Sequence, residues 1–396
     1  MTSAPGRTLG ALLTMQQQDA DPYPALARLQ AEEPVCWVEA FGMWYVTRYD
    51  DVISVLRDTR HFVAGTDQSL LQDTFGVHML TTDGAVQKRY KDAFRGAFAP
   101  AATRQAMHDR VAAMAEALIG GFGNGTTTEL RSSFASRLPV QSILSLFGLP
   151  LEEEPKLRHW YDDFEAALAN FGWDDGIRQR ARSSLSGFHD LIQSHIDQVR
   201  RVGGTGLLAQ AMSAADGEPL SDGEIRSNAG IIFFGGISTV EALVLNSLYA
   251  LLVHPDAMAR VRSDRSLLPV VLEETMRWLT PVQSATRHVV EAVEFRGCRF
   301  EAGDTVNCML GAANRDPARF ANPDRFDLDR GNSRQHLGFA TGDHFCLGSH
   351  FAKLQASIAL GLLLDRFPNL RFREGQVPAV AGYEFRQPRD FWLELR

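Results

Sequence analysis

The sequence is poor in cysteine and lacks two common fingerprints of nucleotide binding. Four cysteines occur among 396 residues, and none of them (Cys36, Cys298, Cys308, Cys346) belongs to a C-x-x-C pair. This usage excludes an ordinary zinc site and fits a reducing cytosol. There is no P-loop and no G-x-G-x-x-G after a strand, because the glycine-rich run 120–125 has the wrong spacing. We therefore expect electrons for any redox reaction to come from a separate protein.

Positive charge and anchoring segments are also scarce. The net charge of −8 argues against nucleic acid as the main partner. Met1–Gln18 has no apolar core of signal-peptide or anchor length. The apolar run Ala229–Val253 is long enough to span a bilayer, but it contains Gly235, Gly236 and Glu241, so we predict a buried central helix. Together these features predict a cytoplasmic protein without a membrane anchor.

Hydrophobic residues make up 45% of the chain, enough for a large core, and no linker, charge block or repeat divides it. Apolar periodicity predicts helices over most of Pro100–Ile119, Leu151–Ala169, Ile177–Val202, Asp222–Val253, Pro255–Arg262, Leu267–Trp278 and Leu347–Arg366. Alternation and turn residues predict short strands at Val35–Glu39, Trp44–Thr47, Val289–Phe295, Arg299–Phe300 and Thr305–Leu310.

The most informative segment surrounds one cysteine, in the run Phe339-Ala340-Thr341-Gly342-Asp343-His344-Phe345-Cys346-Leu347-Gly348. A lone cysteine is usually a small buried hydrophobe. Here it precedes a predicted helix, whose free N–H groups and dipole stabilise a thiolate. Such a thiolate is an axial ligand for haem iron. Gly342 permits a tight turn, and Gly348 permits close approach of backbone to a flat cofactor.

This run resembles the haem-binding signature of the cytochrome P450 family, which is phenylalanine, two residues, glycine, one residue, histidine or arginine, one residue, cysteine, one residue, glycine. Ala340 departs mildly, since bacterial members usually carry glycine there. The segment from Glu274 to Arg277 also matches the family's E-x-x-R motif. Pro323-Asp324-Arg325-Phe326 matches its meander, in the family's order.

The resemblance implies one domain over residues 1–396, mainly α with a small β region. It places haem b between the long central helix and the helix after Cys346. Cys346 is then the iron ligand, within the framework of Phe339 and Gly348. Glu274, Arg277 and Arg325 are expected to form a structural ion-pair triad behind the haem.

Four residues are expected at the haem propionates by the same resemblance. Arg287 and His344 match the family's partners, whereas Gln87 and Lys91 stand where a histidine and an arginine are common. Glutamine still offers an N–H and lysine a charge, but the bidentate fork of arginine is lost. Lys91 could instead be a solvated helix residue. Together with Lys88 and Arg95 it forms a basic stripe at i, i+3, i+7 that would suit an acidic electron donor.

The central helix carries the second informative pattern. Glycine inside a helix costs about 1 kcal/mol relative to alanine, so Gly235 and Gly236 require a reason: close helix packing, or a groove for dioxygen above the iron. Thr239 follows Gly235 by one turn, and its hydroxyl can hold a water there. Ser238 stands where the family has an acid. Protons could therefore pass through water, through Ser238 with Thr239, or through Glu241.

The implied function is a bacterial-type haem-thiolate monooxygenase that uses O₂ and an external ferredoxin or flavodoxin with its reductase. Its substrate is expected to be a mid-sized, mostly apolar organic molecule of secondary metabolism. Peroxide-driven oxidation, oxidative coupling or nitration remains an alternative because of Ser238, and a non-catalytic haem sensor or carrier is a further one. By position, five segments should line the pocket: Leu70–Met79, Phe164–Trp173, Ile232–Gly236, Val282–Ala285 and Gly382–Phe391.

We predict that Cys346 is the only protein ligand to iron, because no other cysteine lies in such a motif. The reduced protein with carbon monoxide should show the red-shifted Soret band of a thiolate ligand. Cys346→Ala should abolish that band, and Cys298→Ala should leave it unchanged. A wild-type spectrum like that of a globin would contradict the assignment.

Overall fold

A computed structural model describes residues 8–66, 69–123, 125–170, 172–213 and 219–395. Helices α1 to α16 are, in chain order, Met15–Ala20, Tyr23–Glu32, Tyr49–Arg57, Leu70–Phe75, Gly84–Phe98, Pro100–Gly120, Arg137–Phe147, Glu154–Leu168, Asp175–Val202, Leu207–Met212, Asp222–Gly235, Ser238–Val253, Pro255–Ser263, Leu268–Trp278, Leu310–Ala313 and Ser349–Arg366. Strands β1 to β12 are Val35–Val38, Met43–Val46, Phe62–Val63, Thr127–Glu129, Ala285–Val289, Val293–Phe295, Cys298–Phe300, Thr305–Cys308, Arg371–Phe372, Val380–Ala381, Gln387–Pro388 and Trp392–Glu394. The prediction of a mainly α chain with a small β region is confirmed.

The largest sheet has five strands in the order β1-β2-β8-β5-β3. Only the β2–β8 pair is parallel, with Trp44 opposite Val306, and the other neighbours are antiparallel. The sheet packs on α3 and on the segment around Leu310 and Phe320 through its own apolar cluster. A larger cluster joins the helices from Phe75 to Leu395. The sheet therefore has an apolar cluster separate from the one that joins the helices, and β5 lies within the sheet between β8 and β3.

The predicted helices exist, with corrections at two helix starts, at one strand and at one helix that was not predicted. Leu151–Glu153 is a 3-10 turn before α8, and the helix after Cys346 begins at Ser349 rather than Leu347. The predicted strand Val289–Phe295 is wrong, because residues 290–292 form a bend between β5 and β6. The long helix α5, over Gly84–Phe98, was not among the predicted helices.

The central helix is interrupted where one continuous helix was predicted. Ser221 and Glu224 form the capping box that starts α11, with both reciprocal hydrogen bonds present. The helix ends at Gly235, and α12 begins at Ser238 after a turn in which Ile237 has φ −104° and ψ −81°. The Thr239 side chain then donates to the Gly235 carbonyl, at 2.7 Å, across the break. Such side-chain bonds to the preceding turn bend helices.

Two stretches, 222–253 and 342–366, are long and apolar enough to cross a membrane by length and composition. In the first, 78% of the most apolar window is buried inside the protein. Its apolar side chains therefore form the core of the helical layer, as expected for a central helix.

A buried ion cluster joins α14 to the segment after α15. Glu274 and Arg277 have no exposed side-chain area, and their atoms pair at 2.7 and 2.9 Å. The third member of the cluster is Arg330, whose Nε lies 3.0 Å from Glu274 Oε1. The prediction of Arg325 in this place is wrong. Arg325 has an exposed side chain, and only its carbonyl joins the cluster, by accepting from Arg277 at 2.8 Å.

The path of the chain explains why Arg330, and not Arg325, pairs with Glu274. The Asp327 N–H donates to Glu274 at 2.9 Å, so the chain passes close to the carboxylate between the two arginines. Arg325 lies in the turn before this point, where its N–H bonds the Asn322 carbonyl. Arg330 follows it, and its Nη1 donates to the Ala321 carbonyl at 2.7 Å. Its guanidinium thus closes the loop onto Glu274.

We predict that Arg330→Ala destabilises the protein by about 3 kcal/mol, because it leaves part of a buried carboxylate unpaired. Arg325→Ala is the matched control and should change stability by less than about 0.5 kcal/mol. The measurement is the free energy of unfolding from chemical denaturation. Equal effects of the two substitutions would contradict the assignment of Arg330 to the cluster.

Candidate active site

Cys346 lies at the end of a tight loop directly before α16. Gly342 adopts φ +72°, as the turn requires, and the Cys346 N–H donates to the Phe339 carbonyl at 2.9 Å. Burial raises the pKa of the Cys346 thiol, while the backbone N–H groups of Gly348 and Ser349 lower it. Those N–H groups belong to the start of α16. The loop therefore presents the sulfur to the hydrogen-bond donors that favour a thiolate.

Ala340 departs from the ordinary backbone geometry of an alanine. Its φ is +55°, in the left-handed region, which costs a residue with a Cβ roughly 1–2 kcal/mol. This is the position where the family's pattern has glycine. The loop thus keeps the glycine conformation although the residue has changed.

Two further residues of the loop have different surroundings, packed for Phe339 and open for Gly348. The Phe339 ring lies 5.6 Å from the ring of His336 and at the same distance from the Lys353 ammonium. Lys353 also acts on Cys346 by lowering its pKa. A Cβ built on Gly348 would meet only Phe98, at 4.0 Å. The space beside Gly348 is therefore open on the described part of the chain.

The two glycines of the central helix have different surroundings. A Cβ on Gly235 would meet no described atom within 4 Å, and this residue is exposed although its helix neighbours are buried. A Cβ on Gly236 would lie 2.7 Å from Ile143 of α7. Gly235 thus opens the helix surface, whereas Gly236 allows close packing between two helices. Close packing is thus the reason for Gly236, and a groove for dioxygen at Gly235 stays a prediction.

Ser238 and Thr239 differ in exposure. Thr239 keeps partial exposure, and its hydroxyl bonds Gly235, whereas the Ser238 side chain is buried. Ser238 acts on the phenol of Tyr161, which stacks on Phe234 with ring centres 5.3 Å apart. Burial raises the pKa of Tyr161 well above its ordinary value, so this phenol keeps its proton. Tyr161 therefore places a proton donor beside Ser238.

Glu241 points away from the Thr239 hydroxyl. It pairs with Arg131, and Gln387 donates to it at 3.1 Å. Burial raises the pKa of Glu241, and burial together with the Glu241 charge raises that of Glu165. Both carboxyl groups act on Tyr161. Glu241 is therefore a residue of α12 whose carboxyl group is engaged by Arg131 and Gln387 rather than by the Thr239 hydroxyl.

A second group of predicted site residues lies around Asp83, the residue before α5. His344 Nε2 lies 2.9 Å from Asp83 Oδ1, and Asp83 also attracts Arg287 of β5. Arg287 is buried, and its Nη1 donates to the Thr286 carbonyl at 2.8 Å. Its Nη2 has no hydrogen-bond partner among the described atoms. A buried donor without a partner is costly, so this guanidinium is suited to an added anionic group.

Gln87 and Lys91 of α5 contact the cysteine loop directly. Gln87 Nε2 donates to the Asp343 carbonyl at 3.0 Å, and Lys91 Nζ donates to the carbonyls of Asp343 and Phe345 at 2.5 and 2.7 Å. Lys91 is half-buried, so it is not a freely solvated helix residue. The structure thus brings both residues to the loop of Cys346, and Arg287 and His344 to Asp83.

Comparison with known proteins agrees with this geometry. Residues 157–380 match the model of the cytochrome P450 family. The cytochrome P450 monooxygenase PikC of Streptomyces venezuelae is 35% identical over 93% of this chain and 88% of its own. The chain belongs to the cytochrome P450 family.

Two other comparisons support the family and its fold. The 6-deoxyerythronolide B hydroxylase of Saccharopolyspora erythraea is 31% identical over 88% of this chain and 89% of its own. The crystal structure of CalO2 superposes with a TM-score of 0.87 at 30% identity, covering 97% of this chain and 99% of that one. The protein is therefore a cytochrome P450 monooxygenase with the family's fold and its cofactor, haem b.

The residues at the site fit haem in three respects. Cys346 is strongly desolvated by the protein around it although the residue keeps accessible surface, as expected beside an internal space. Gly235 opens the central helix to such a space, and Arg287 offers a buried donor without a partner. A soft sulfur ligand and an unpaired guanidinium suit an iron porphyrin with acidic side chains.

Several residues at the site had no signal in the sequence. Asp83, Tyr161 and Glu384 are ordinary residue types in no recognisable motif, and only the fold brings them near His344, Ser238 and Ser284. Of the segments expected to line the pocket, Phe171 lies outside the described residues.

Proposed function

We propose that this protein is a bacterial haem-thiolate monooxygenase of secondary metabolism that receives electrons from a separate ferredoxin or flavodoxin and its reductase. The observation that carries the proposal is the Cys346 sulfur at the N-terminus of α16, in a chain whose central helix opens at Gly235 and carries Thr239 one turn later. A hydroxylase and a monooxygenase among its relatives support it.

Bound haem would supply the activation of dioxygen, and Cys346 would be its thiolate ligand. Phe339 holds the loop through its carbonyl and ring, and Gly348 leaves the space beside it open. Gln87 and Lys91 tie α5 to the same loop. Arg287 would bind the acidic edge of the cofactor through its unpaired N–H, and His344, whose Nε2 pairs with Asp83, would contribute its other ring nitrogen, Nδ1.

Proton supply is assigned to the hydroxyls at the break in the central helix. Thr239 Oγ1 donates to Gly235 and can accept a hydrogen bond from a water in the space beside that glycine. Ser238 Oγ does not titrate near neutrality, so it relays protons without supplying them. The Ser238 hydroxyl and the Tyr161 phenol are buried without hydrogen-bond partners among the described atoms, and the charges of Glu165 and Glu241 act on that phenol. Glu241 acts at a distance in this arrangement.

The electron donor is expected on the surface beside the cysteine loop. Phe345 is exposed there, next to Cys346 and above Lys91. Lys88 and Arg95 are also exposed, but each pairs with Asp92, the second at 2.7 Å. The stripe is therefore less positive than its sequence implies. The given sequence carries neither nucleotide-binding fingerprint, which supports an external source of electrons.

We also infer that residues 1–396 form one domain and that the protein is cytoplasmic. An apolar cluster that runs from Phe75 to Leu395 supports the single domain. The expected substrate is mid-sized and mostly apolar, because the segments assigned to the pocket are rich in apolar and aromatic residues.

Ser238, in place of an acid, is the reason to consider a second function. Without an acid at this position, proton supply could limit ordinary monooxygenation, and peroxide-driven oxidation, oxidative coupling or nitration would avoid that limit. A haem sensor or carrier is the further alternative. Thr239 and the opening at Gly235 favour turnover, since a protein that only binds needs neither.

We predict that turnover depends on a separate electron donor. An optical titration of natural products first identifies a ligand that displaces the water on iron. With that ligand, purified protein and NAD(P)H should yield no product, whereas added ferredoxin or flavodoxin with its reductase should yield an oxygenated product. Product from hydrogen peroxide alone would instead favour peroxide-driven chemistry, and no product under either condition would favour the sensor.

We predict that Thr239→Ala keeps substrate binding but diverts most reducing equivalents to hydrogen peroxide, because the water at the open turn loses its hydrogen-bond partner. Ser238→Ala is the matched control and should lower coupling much less, since Ser238 is rotated about 100° around the helix from Thr239. The measurement is product and peroxide formed per NAD(P)H consumed. Unchanged coupling in Thr239→Ala would assign the protons to another route.

A further inference from the structure

Glu384 is an acidic residue that takes no part in haem binding or in proton supply. It lies at the tip of the hairpin formed by β10 and β11, in the turn 382–386. Burial raises its pKa to about 7, against a lowering effect of Ser284. Ser284 Oγ donates to Glu384 Oε2 at 2.6 Å, and the Ser284 N–H adds a second contact. No cation pairs with Glu384 among the described residues.

The hairpin tip packs against the open part of the central helix. The Phe385 ring lies 6.0 Å from the ring of Phe234, the residue before Gly235. Phe385 also forms an isolated bridge with Val282, and Gln283 donates to the Glu384 carbonyl at 2.9 Å. The tip thus joins the segment 282–285 to the start of the opening at Gly235.

We infer that Glu384 borders an internal space. Its carboxyl group is strongly desolvated while the residue as a whole keeps accessible surface, a combination that it shares with Cys346. A group deep in a protein keeps such surface only if it borders a cavity. The neighbouring residue Tyr383 points elsewhere, since its hydroxyl pairs with Tyr45 at 2.9 Å and accepts from Asn307 at 3.2 Å.

The other acids near the central helix are compensated. Glu241 pairs with Arg131, and the Arg131 charge also acts on Glu165. Glu384 has a hydroxyl and an N–H as its partners, and the titratable groups that it affects are the phenols of Tyr45 and Tyr383. A buried carboxylate without a positive partner is costly. A ligand that carries positive charge would remove that cost.

We propose that Glu384 is a substrate-recognition residue that selects substrates with a positively charged amino group and holds that group beside the open turn at Gly235. The inference rests on the proposed monooxygenase function and names the chemical class of its substrate. Ser284 is a positioning residue, because its hydroxyl orients the carboxyl group.

The test uses a matched pair of probes on the haem-loaded protein. One is (4-phenylbutyl)trimethylammonium, and the other is its uncharged analogue with a tert-butyl group. The ammonium has a permanent charge and no lone pair, so it neither titrates nor ligates iron. Calorimetric titration at about pH 8 should show the ammonium binding about tenfold or more tightly than the analogue, as expected for a desolvated charge pair.

Substitution and pH then separate Glu384 from other sources of affinity. Glu384→Gln should remove the preference for the ammonium, whereas Glu374→Gln, an exposed acid in the same part of the chain, should keep it. Between about pH 8 and pH 6 the preference should fall about tenfold, because the ionised fraction of a group with a pKa of about 7 falls by that factor. Equal binding of the two probes by the wild type, or an unchanged preference in Glu384→Gln, overturns the proposal.

Melting temperature distinguishes recognition from a structural role. The pKa of Glu384 is raised in the folded protein, so its ionised form is disfavoured there and stability is lost as pH rises through this range. Glu384→Gln should therefore raise the melting temperature by a few degrees at about pH 8 and leave it nearly unchanged near pH 5. A lower melting temperature at both pH values would make Glu384 a structural residue. Because the carbon monoxide spectrum is independent of Glu384, failure of the thiolate assignment would be seen separately.

Discussion

The position of the cysteine depends on one buried carboxylate. Glu274 is excluded from solvent, so its charge is tolerable only with every partner in place. Arg277, Arg330 and the Asp327 N–H supply those partners, and Arg277 also donates to the carbonyls of Asn314 and Pro323. The Asn314 side chain then accepts from Leu337, two residues before the cysteine loop. The hydrogen bonds that stabilise the buried charge of Glu274 therefore also fix the path of the chain into that loop.

The central helix has the opposite requirement, because it must leave space beside Gly235 instead of filling it. A glycine pair serves both needs there: Gly236 brings α11 close to Ile143, and Gly235 leaves its side of the helix open. The helix breaks between them and Ser238, and the Thr239 hydroxyl bonds back across the break. A side-chain hydrogen bond from Thr239 to the Gly235 carbonyl therefore replaces the regular helical pattern at this point. It places a hydroxyl group beside the open side of Gly235.

The sequence predicted what depends on fixed spacing or strong periodicity. The cysteine loop, the family and most helices follow from such patterns. Arg330 could not be distinguished from Arg325, because both lie in irregular chain, and only the close approach of Asp327 to Glu274 decides which guanidinium points inward. The break after Gly235 was not predicted, because the apolar pattern continues on both sides of it and glycines also occur inside continuous helices. Glu384 is a single acid in a turn, and no local pattern predicts its role. Only the fold brings it to Ser284 and brings its neighbour Phe385 to the open part of the central helix.

The charges around the pocket relate two features of this chain, which are Ser238 in place of an acid and the carboxyl group of Glu384. Serine in place of an acid removes a carboxylate from the break in the central helix, and the next acids, Glu241 and Glu165, share the charge of Arg131. On our proposal Glu384 is then the one uncompensated carboxylate that a cationic substrate meets among the described residues of this region. A single attractive point fixes one end of a substrate, whereas a second acid beside Thr239 would compete for it. The loss of the acid from the proton route and the retention of one at the hairpin tip would therefore act together to orient the substrate.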